Sequence, residues 1–486
     1  MLIQGGRRLS GTVRLPAAKN SVLPLLAASL LCEGESTLSQ VPRLSDVEQS
    51  TAILTALGCR CQWRGRGLVV DAAGAGGSGA LPEGPVRAMR SSVFYLAPAL
   101  HRCGRVSMPM PGGCKLGPRP IDIHLDGLVK MGAKVQWQGE SLTVTAPQGL
   151  SGVDYSLRLP SVGATETLLM AAVLAKGETV LRGAAAEPEI ADLAAFLSAC
   201  GADIQGAGTP LVRIRGVQGL HGTLHTPIPD RIVAATLAAA VASAGGRVKL
   251  LGCPWEPLAP TMEILCRAGC TAEHGGNTVT VSREGPLKGV GRVYTGVYPA
   301  FSTDAAPMVA AALLTAAGRS AVEDTVFENR FACAEGFSAL GGKAVRCGRA
   351  LEIEGVKRLS GADLTARDLR GGAALAVAAL AAEGREPSVR PGAHPPGLRR
   401  PCGHPALAGG GRGLPAAVKT GGTGAECPSR PAVFCPLPAK AENGKLRAKK
   451  RKFTSPSHLN FCRLSAMLLL VLHSTVAQSA PQLDVA

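Results

Sequence analysis

A chain of 486 residues is too long for one ordinary hydrophobic core, so the sequence predicts at least two domains. The formal net charge of +17 is concentrated near the end, because residues 385–486 hold 15 basic and 4 acidic side chains, against 37 and 31 before them. Aromatic residues make up 3% of the chain, which argues against platforms that stack single-stranded nucleic acid.

The 15 cysteines are irregularly spaced and show no pairing that is typical of zinc sites. No secretory signal opens the sequence. We therefore expect reduced thiols in a cytoplasmic protein, mostly buried as small apolar side chains, and no metal site.

An internal repeat organises the first 384 residues. Apolar, alanine-rich segments of helical period each end at a glycine that precedes a strand-like run, and glycine is typical of helix ends because it adopts the left-handed conformation. These glycines are spaced by 66 to 73 residues and comprise Gly34, Gly104, Gly177, Gly246, Gly318 and Gly384. A second helix-ending glycine recurs every 68 to 74 residues, at Gly58, Gly132, Gly201, Gly269 and Gly341.

Each unit then closes with two alternating runs around a turn, as in residues 133–145. The pattern predicts helix, strand, helix and hairpin in every unit. One unit cannot bury both of its helix faces, so several units must pack together. A cleft between groups of units is the expected place for a ligand.

A loop rich in glycine and proline spans residues 110–120 and carries one thiol, Cys114, after two glycines. Lys115 and Arg119 follow, and such cations favour the thiolate or bind a phosphate or carboxylate. The alternative is a surface loop with an incidental cysteine.

At this point the sequence resembles the UDP-N-acetylglucosamine 1-carboxyvinyltransferase family of enolpyruvyl transferases. The resemblance runs from about residue 2 to Gly384. Its motifs stand in family order at residues 17–20, 111–124, 161–165, 187–190, 229–232, 301–304, 325–331 and 368–370. One departure is Val233, where the family more often has an acid.

The resemblance implies an α/β fold of two inside-out barrel domains, each built from three units. The first would be residues 20–228, with the Cys114 loop, and the second would be residues 1–19 and 229–384, with an incomplete sixth unit. Residues 385–486 would form an unrelated, disordered tail.

The implied reaction moves the enolpyruvyl group of phosphoenolpyruvate to the 3-hydroxyl of UDP-N-acetylglucosamine and releases phosphate, in the first committed step of peptidoglycan synthesis. It needs no metal or organic cofactor. We expect a cytoplasmic monomer whose partners are its two substrates, without nucleic acid or membrane. The alternatives are transfer to shikimate 3-phosphate, or an inactive product that binds a nucleotide sugar.

The family also implies catalytic roles. Cys114 would donate the proton to phosphoenolpyruvate and could add to it covalently, and Asp304 would be the base for the sugar hydroxyl. Lys19 and Arg119 would neutralise the phosphate, while Asn20 would bond to the tetrahedral centre.

The substrate-binding roles follow in the same way. Arg370 would face the carboxylate, Arg90 the diphosphate and Val326 the uracil, and Asp368 would help to position the Cys114 loop. The remaining expected substrate contacts are Pro120, Ile121, Asp122 and Ile123 beside the loop, and the turn of Ser161, Val162 and Gly163.

Six of these residues have an ordinary alternative role. Lys19, Arg90 and Arg119 could be solvated cations. Asp304 could cap the helix that follows it. Arg370 could serve a salt bridge, and Val326 could lie in a core.

The C-terminus departs from the family. The sixth unit lacks its second glycine mark, and the closing family motif with an arginine for phosphoenolpyruvate is absent after Gly384. Permitted codons for residues 392–410, read in a neighbouring frame, restore both features. We therefore hypothesise a one-nucleotide frameshift between about Gly384 and Gly392.

Overall fold

The computed structural model describes residues 1–112, 121–384 and 387–391. Cys114, Lys115, Arg119 and Pro120 lie outside these ranges, as do residues 385–386 and 392–486, which make up most of the predicted tail of residues 385–486. Residues 392–410, on which the frameshift hypothesis depends, also lie outside them. Along the described ranges the helices and strands follow one recurring order.

The first half of the chain contains the first three units. The opening strand and first unit are β1 (Leu9–Arg14), α1 (Lys19–Ser29), β2 (Cys32–Glu33), β3 (Glu35–Leu38), α2 (Ser45–Ala56), β4 (Arg60–Arg64) and β5 (Gly67–Asp71). The second unit has α3 (Glu83–Ala88), a 3-10 helix (Arg90–Tyr95), α4 (Leu96–Cys103), β6 (Arg105–Pro109), α5 (Asp122–Lys130), β7 (Lys134–Gln138) and β8 (Ser141–Thr145). The third has β9 (Asp154–Ser156), α6 (Val162–Ala172), β10 (Glu178–Arg182), α7 (Pro188–Ala199), β11 (Asp203–Gln205) and β12 (Leu211–Arg215), followed by β13 (Leu220–His221) and β14 (Leu224–His225).

The second half repeats the order. The fourth unit is α8 (Arg231–Ala244), β15 (Gly246–Leu251), α9 (Ala259–Ala268), β16 (Thr271–Gly275) and β17 (Thr278–Arg283). The fifth is β18 (Gly291–Tyr294), α10 (Ala306–Leu313), β19 (Arg319–Glu323), α11 (Ala334–Ala339), β20 (Lys343–Cys347) and β21 (Ala350–Glu354). The sixth is described as β22 (Leu359–Ser360), β23 (Asp363–Ala366), α12 (Leu369–Ala379), β24 (Ala382–Glu383) and β25 (Ser388–Pro391).

Four of the six units build a four-stranded sheet with the same topology, whereas the second unit has the three-stranded sheet β6-β8-β7 and the sixth is described with only the two-stranded pairs β22-β24 and β23-β25. The orders β14-β3-β5-β4, β9-β10-β12-β11, β1-β15-β17-β16 and β18-β19-β21-β20 place a parallel strand beside the first strand of the unit and the hairpin beyond it. Along β15, Val248 and Leu250 are buried while Arg247 and Lys249 are exposed. This alternation is the one expected of a sheet with one face on a core and one face in solvent.

The helices α8, α10 and α12 of the second half lie inside. Every residue of α10 is buried, as are residues 232–243 of α8 and 371–379 of α12, and these three helices pack against one another. A helix that is apolar all round belongs in a core, and alanine allows helix axes to approach closely. The predicted fold class, an α/β fold built from repeated units, is confirmed.

Two hydrophobic cores result. The first is formed within residues 17–220, and the second within residues 3–15 and 232–389. The exact domain boundaries, including those at residues 20 and 229, stay a prediction. Strand β25 (Ser388–Pro391) pairs with β23 along its whole length, although the sequence analysis assigned these four residues to the disordered tail.

The repeated glycines have the predicted conformation. Both sets have positive φ angles, between 67° and 116°. A Cβ atom at Gly34 or Gly318 would meet nothing within 4 Å, so conformation and not space explains glycine at these two positions. In the described ranges, no helix is both long and apolar enough to span a membrane.

Candidate active site

The predicted site residues share a position in the repeat. Apart from Val326, those in the described ranges lie at or just before the start of a helix. Helix starts present unpaired N–H groups and a partial positive charge, both of which favour anionic ligands. The predicted site residues at helix starts are Lys19 and Asn20 at α1, Arg90 before α4, Ile121, Asp122 and Ile123 at α5, Ser161, Val162 and Gly163 at α6, Asp304 at α10, and Asp368 and Arg370 at α12.

Asp304 is the centre of a charged cluster in the second core. Its Oδ1 accepts a hydrogen bond from Nε of Arg370 at 3.1 Å and lies 3.5 Å from Nη2 of Arg330. Helix α10 is capped by Ala305 without a side-chain bond, so Asp304 does not serve as the cap. Desolvation opposes its charge, but the two guanidinium groups and the charge of Arg231 prevail and lower its pKa. Asp304 is therefore ionised at neutral pH.

Arg330 is the buried cation of this cluster. It is 1% exposed, and its Nε donates to Thr303 Oγ1 at 3.0 Å and lies 3.4 Å from Asp324 Oδ2. Asp324 is itself fully buried and accepts from the backbone N–H of Val326 at 2.7 Å and Phe327 at 2.8 Å. The Nη1 atom of Arg330 is buried and has no partner among the described residues. A buried cation with a spare donor is well suited to an anionic ligand group.

Lys19 begins α1 and contacts acids from both cores. Its Nζ pairs with Asp46 Oδ2 at 2.9 Å, and its backbone N–H donates to Asp230 Oδ2 at 3.3 Å. The side chain of Lys19 is 15% exposed, so it is not a solvated surface cation. Asp230 also caps α8 through bonds from the N–H groups of Ile232 and Val233. Because the Val233 contact is a backbone bond, the departure from the family acid at that position leaves the cap intact.

A buried salt bridge joins the two groups of units beside this site. Nε of Arg231, the first residue of α8, lies 3.0 Å from Glu189 Oε1 at the start of α7. Their side chains are 14% and 3% exposed. Arg231 follows Asp230, which accepts from the Lys19 N–H, and the charge of Arg231 also lowers the pKa of Asp304.

Glu166 is a buried acid on α6, behind this salt bridge. It is 1% exposed, and its Oε1 atom has no partner among the described residues. Burial, with the charges of Glu189 and Glu187, raises its pKa well above the ordinary value. Burial likewise raises the pKa of Glu187.

A second group of predicted site residues lies in the first half of the chain, around the starts of α5 and α6. Ser161 caps α6 through a bond from the Ala164 N–H at 3.3 Å. The ring of His124 packs against Gly163, where a Cβ atom would lie 3.1 Å from its Cε1. Burial and the charge of Arg90 lower the pKa of His124 to about 3, so this ring is neutral. Arg90, the 161–163 turn and the start of α5 are thus brought together around His124.

Two further predicted residues have defined places. Asp368 caps α12 by accepting from the Gly371 N–H at 2.8 Å, and its Oδ2 is buried without a partner in the described ranges. Val326 is 42% exposed, so it is not a core residue. Asn20 is half-buried in the first turn of α1.

Five charged residues of the site had no role predicted from the sequence, namely Asp46, Glu189, Arg231, Asp324 and Arg330. Glu189, Arg231 and Arg330 fall inside quoted motifs, so their charge was the available signal. Asp46 and Asp324 fall outside the motifs, and their partners lie far away along the chain. In the described ranges, no three His, Cys, Asp or Glu side chains are grouped to hold a metal ion.

Comparison with known proteins identifies the family. A family model described as EPSP synthase (3-phosphoshikimate 1-carboxyvinyltransferase) matches residues 3–392. The curated UDP-N-acetylglucosamine 1-carboxyvinyltransferase 2 of Caldanaerobacter subterraneus subsp. tengcongensis is 42% identical over 384 residues, covering 79% of this chain and 91% of the relative. The UDP-N-acetylglucosamine 1-carboxyvinyltransferase of Nitratidesulfovibrio vulgaris (strain DP4) is 41% identical over 388 residues with the same coverage.

Solved structures show the same fold. The enolpyruvyl transferase NikO from Streptomyces tendae superposes with a TM-score of 0.71 at 26% identity, covering 80% of this chain and 92% of the other. EPSP synthase from Acinetobacter baumannii gives a TM-score of 0.63 at 19% identity, with 80% and 93% covered, and bears on the fold alone. The chain therefore belongs to the EPSP synthase family of enolpyruvyl transferases, among relatives that are UDP-N-acetylglucosamine 1-carboxyvinyltransferases.

Proposed function

We propose that this protein transfers the enolpyruvyl group of phosphoenolpyruvate to the 3-hydroxyl of UDP-N-acetylglucosamine and releases phosphate. The observation that carries the proposal is its similarity to curated enzymes of that name along 91% of their length. The charged groups described above supply what the reaction needs: a base, and cations for a phosphate and a carboxylate.

Asp304 is the proposed base for the sugar hydroxyl. Held between Arg330 and Arg370, it is ionised and able to accept a proton, although these cations also make it a weak base. A substrate carboxylate that takes over part of either guanidinium would raise the pKa of Asp304. Binding of phosphoenolpyruvate would then strengthen the base at the moment when it is needed.

The cations divide between the two ends of phosphoenolpyruvate. Lys19 and Arg119 are proposed for the phosphate, and Arg370 for the carboxylate. The spare Nη1 donor of Arg330 makes it a second candidate for the carboxylate. Asn20, next to Lys19, is proposed to bond to the tetrahedral centre.

The nucleotide sugar is proposed to lie against the first core, with its diphosphate near Arg90 and the start of α6, which Ser161, Val162 and Gly163 form. Residues 120–123, namely Pro120, Ile121, Asp122 and Ile123, would contact the nucleotide, with Val326 at the uracil. Helix starts with free N–H groups suit a diphosphate.

Cys114 is proposed to donate the proton to the methylene carbon of phosphoenolpyruvate. The buried, unpartnered Oδ2 of Asp368 supports the proposal that Asp368 positions the Cys114 loop. We further propose two barrel domains divided at residues 20 and 229, action as a monomer in the cytoplasm, and a place at the start of peptidoglycan synthesis.

The choice of acceptor tests the function. Phosphate release from phosphoenolpyruvate is measured with UDP-N-acetylglucosamine or with shikimate 3-phosphate as the acceptor. We expect turnover with the nucleotide sugar. Lys19→Ala should slow this turnover by about a hundred- to thousandfold, because a phosphate clamp contributes about 2.7–4 kcal/mol to the transition state. Turnover with shikimate 3-phosphate alone would favour the other branch, and an unimpaired Lys19→Ala variant would remove Lys19 from its role.

A further inference from the structure

A cation that the proposed roles leave unused stands between the two parts of the nucleotide site. Arg158 lies in the segment between β9 and Ser161, the cap of α6. Its Nη2 pairs with Asp122, and its Nη1 lies 3.2 Å from Asp126 Oδ2. Both acids belong to α5, one on each of its first two turns. One guanidinium group thus connects the approach to the 161–163 turn with the start of α5.

Other contacts already hold α5 against α6. Thr167 Oγ1 on α6 lies 2.9 Å from His124 Nδ1 on α5, in the buried interface. Gly127 on α5 packs so closely against Leu168 that a Cβ atom there would lie 2.3 Å from Leu168 Cδ2. The Arg158 side chain is 50% exposed, and its two partners are 44% and 57% exposed. Exposed ion pairs of this kind add little to stability, so Arg158 is not needed to build the helix pair.

The positive charge of Arg158 can instead offset the negative charge of its two partners. Asp122, in the first turn of α5, interacts favourably with the partial positive charge at the helix start. The carboxylates of Asp122 and Asp126 would, however, repel a diphosphate bound at the neighbouring turn, and salt would weaken this repulsion. Arg158 is paired to both of them, and it lies three positions before the capping serine.

We propose that Arg158 is a positioning and specificity-determining residue for the anionic part of the nucleotide sugar. It fixes the Asp122 carboxylate at the nucleotide-binding segment, and it offsets the negative charge of Asp122 and Asp126 beside the diphosphate. This inference rests on the proposed function, because it assumes that the 161–163 turn receives a diphosphate.

The test is calorimetric binding of UDP-N-acetylglucosamine to the full chain. Arg158→Ala should weaken binding by about three- to tenfold at low salt, and by less at high salt, because the lost attraction is screened. Its thermal midpoint should stay that of the unmodified protein. The Michaelis constant for phosphoenolpyruvate should also be unchanged.

The matched control is Arg292→Ala. Arg292 likewise bridges two exposed acids, Glu323 and Glu352, and is 41% exposed, but it lies on β18 in the second core. It should leave the affinity for the nucleotide sugar unchanged. Equal losses in the two variants would mean that only the overall net charge matters, and would overturn the inference.

A second variant separates the local charge from the packing of Arg158. Asp126→Asn in the Arg158→Ala background removes one of the unbalanced acids and should recover part of the lost affinity. No recovery, or unchanged affinity in Arg158→Ala itself, would contradict the proposal while leaving the function standing. Failure of the unmodified protein to bind the nucleotide sugar would instead overturn the proposed function, and this inference with it.

Discussion

Asp304 sits between two guanidinium groups, and this placement makes its ionisation the feature of the site that is easiest to test. Asp304→Asn keeps the shape of the side chain but cannot accept the hydroxyl proton. We expect kcat to fall by about 10²–10⁴-fold, the usual contribution of a general base. The exposed control Glu335→Gln, whose partner is Arg367, should keep full activity. Full turnover in Asp304→Asn would exclude Asp304 as the base.

The buried Glu166 should make the stability of the protein depend on pH. Its folded-state pKa is raised, so its contribution to stability is fully present below the ordinary glutamate pKa and is lost as the pH rises through the folded value. The groups that act on it are Glu187, Glu189 and, through Glu189, Arg231. Glu166→Gln removes this titration. In urea unfolding, the variant should therefore gain stability over the unmodified protein as the pH rises from about 5 to about 8.

The control for this measurement is Glu48→Gln, on the exposed face of α2. It should shift stability by the same small amount at both pH values. A difference between Glu166→Gln and the unmodified protein that does not change with pH would show that Glu166 is ionised in the folded state, against the expectation from its burial.

At the scale of elements, two glycines hold equivalent places in the two cores. Gly127 on α5 faces Leu168 on α6, and Gly336 on α11 faces Leu375 on α12, with 2.3 Å from a built Cβ to the leucine Cδ2 in each case. Gly127→Ala and Gly336→Ala should each overpack a helix interface, at a cost of about 1–3 kcal/mol before any gain in helix propensity.

A double-mutant cycle checks the cause. In the Gly127→Ala background, Leu168→Ala should cost less unfolding free energy than it does alone, because the smaller side chain relieves the contact. Additive effects of the two substitutions would mean that the glycine is not there to admit Leu168.

The elements themselves were largely predictable, and their contacts were not. Helix-ending glycines such as Gly104 and Gly318 mark the repeat because few other residues adopt positive φ there. The close approach at Gly127 left no such mark, since this glycine lies inside a helix and its partner is 41 positions away. The local sequence therefore indicates the backbone conformation of a residue, but not which side chain of another unit packs against it.

At the scale of the whole molecule, the buried pair of Glu189 and Arg231 joins elements of the two cores. Arg231→Gln would leave Glu189 buried and uncompensated beside Glu187 and Glu166. Breaking such a pair typically costs about 3–5 kcal/mol, whereas an exposed pair contributes about 0–1 kcal/mol. Urea unfolding should show the larger loss for Arg231→Gln and the smaller one for Arg247→Ala, whose pair with Glu273 is exposed. Equal losses would contradict a structural role for the buried pair.

The motifs predicted most of the site residues, but not which of their side chains contact one another. Lys19, Asp304 and Arg370 were assigned from short motifs, and the structure brings Asp304 and Arg370 into contact. The pairing of Lys19 with Asp46, and of Arg330 with both Asp304 and Asp324, depends on how units pack and could not be deduced from spacing. Cys114, Arg119 and Pro120 lie outside the described residues, so their roles stay predictions.

Identification of the product tests the central claim most directly. Phosphoenolpyruvate labelled with carbon-13 at its methylene carbon is incubated with the full chain and UDP-N-acetylglucosamine, and the product is followed by NMR. The account predicts a labelled enol ether on the 3-oxygen of the sugar, with one phosphate released for each ether formed. A label that stays in phosphoenolpyruvate, or that appears on another oxygen of the sugar, would contradict it.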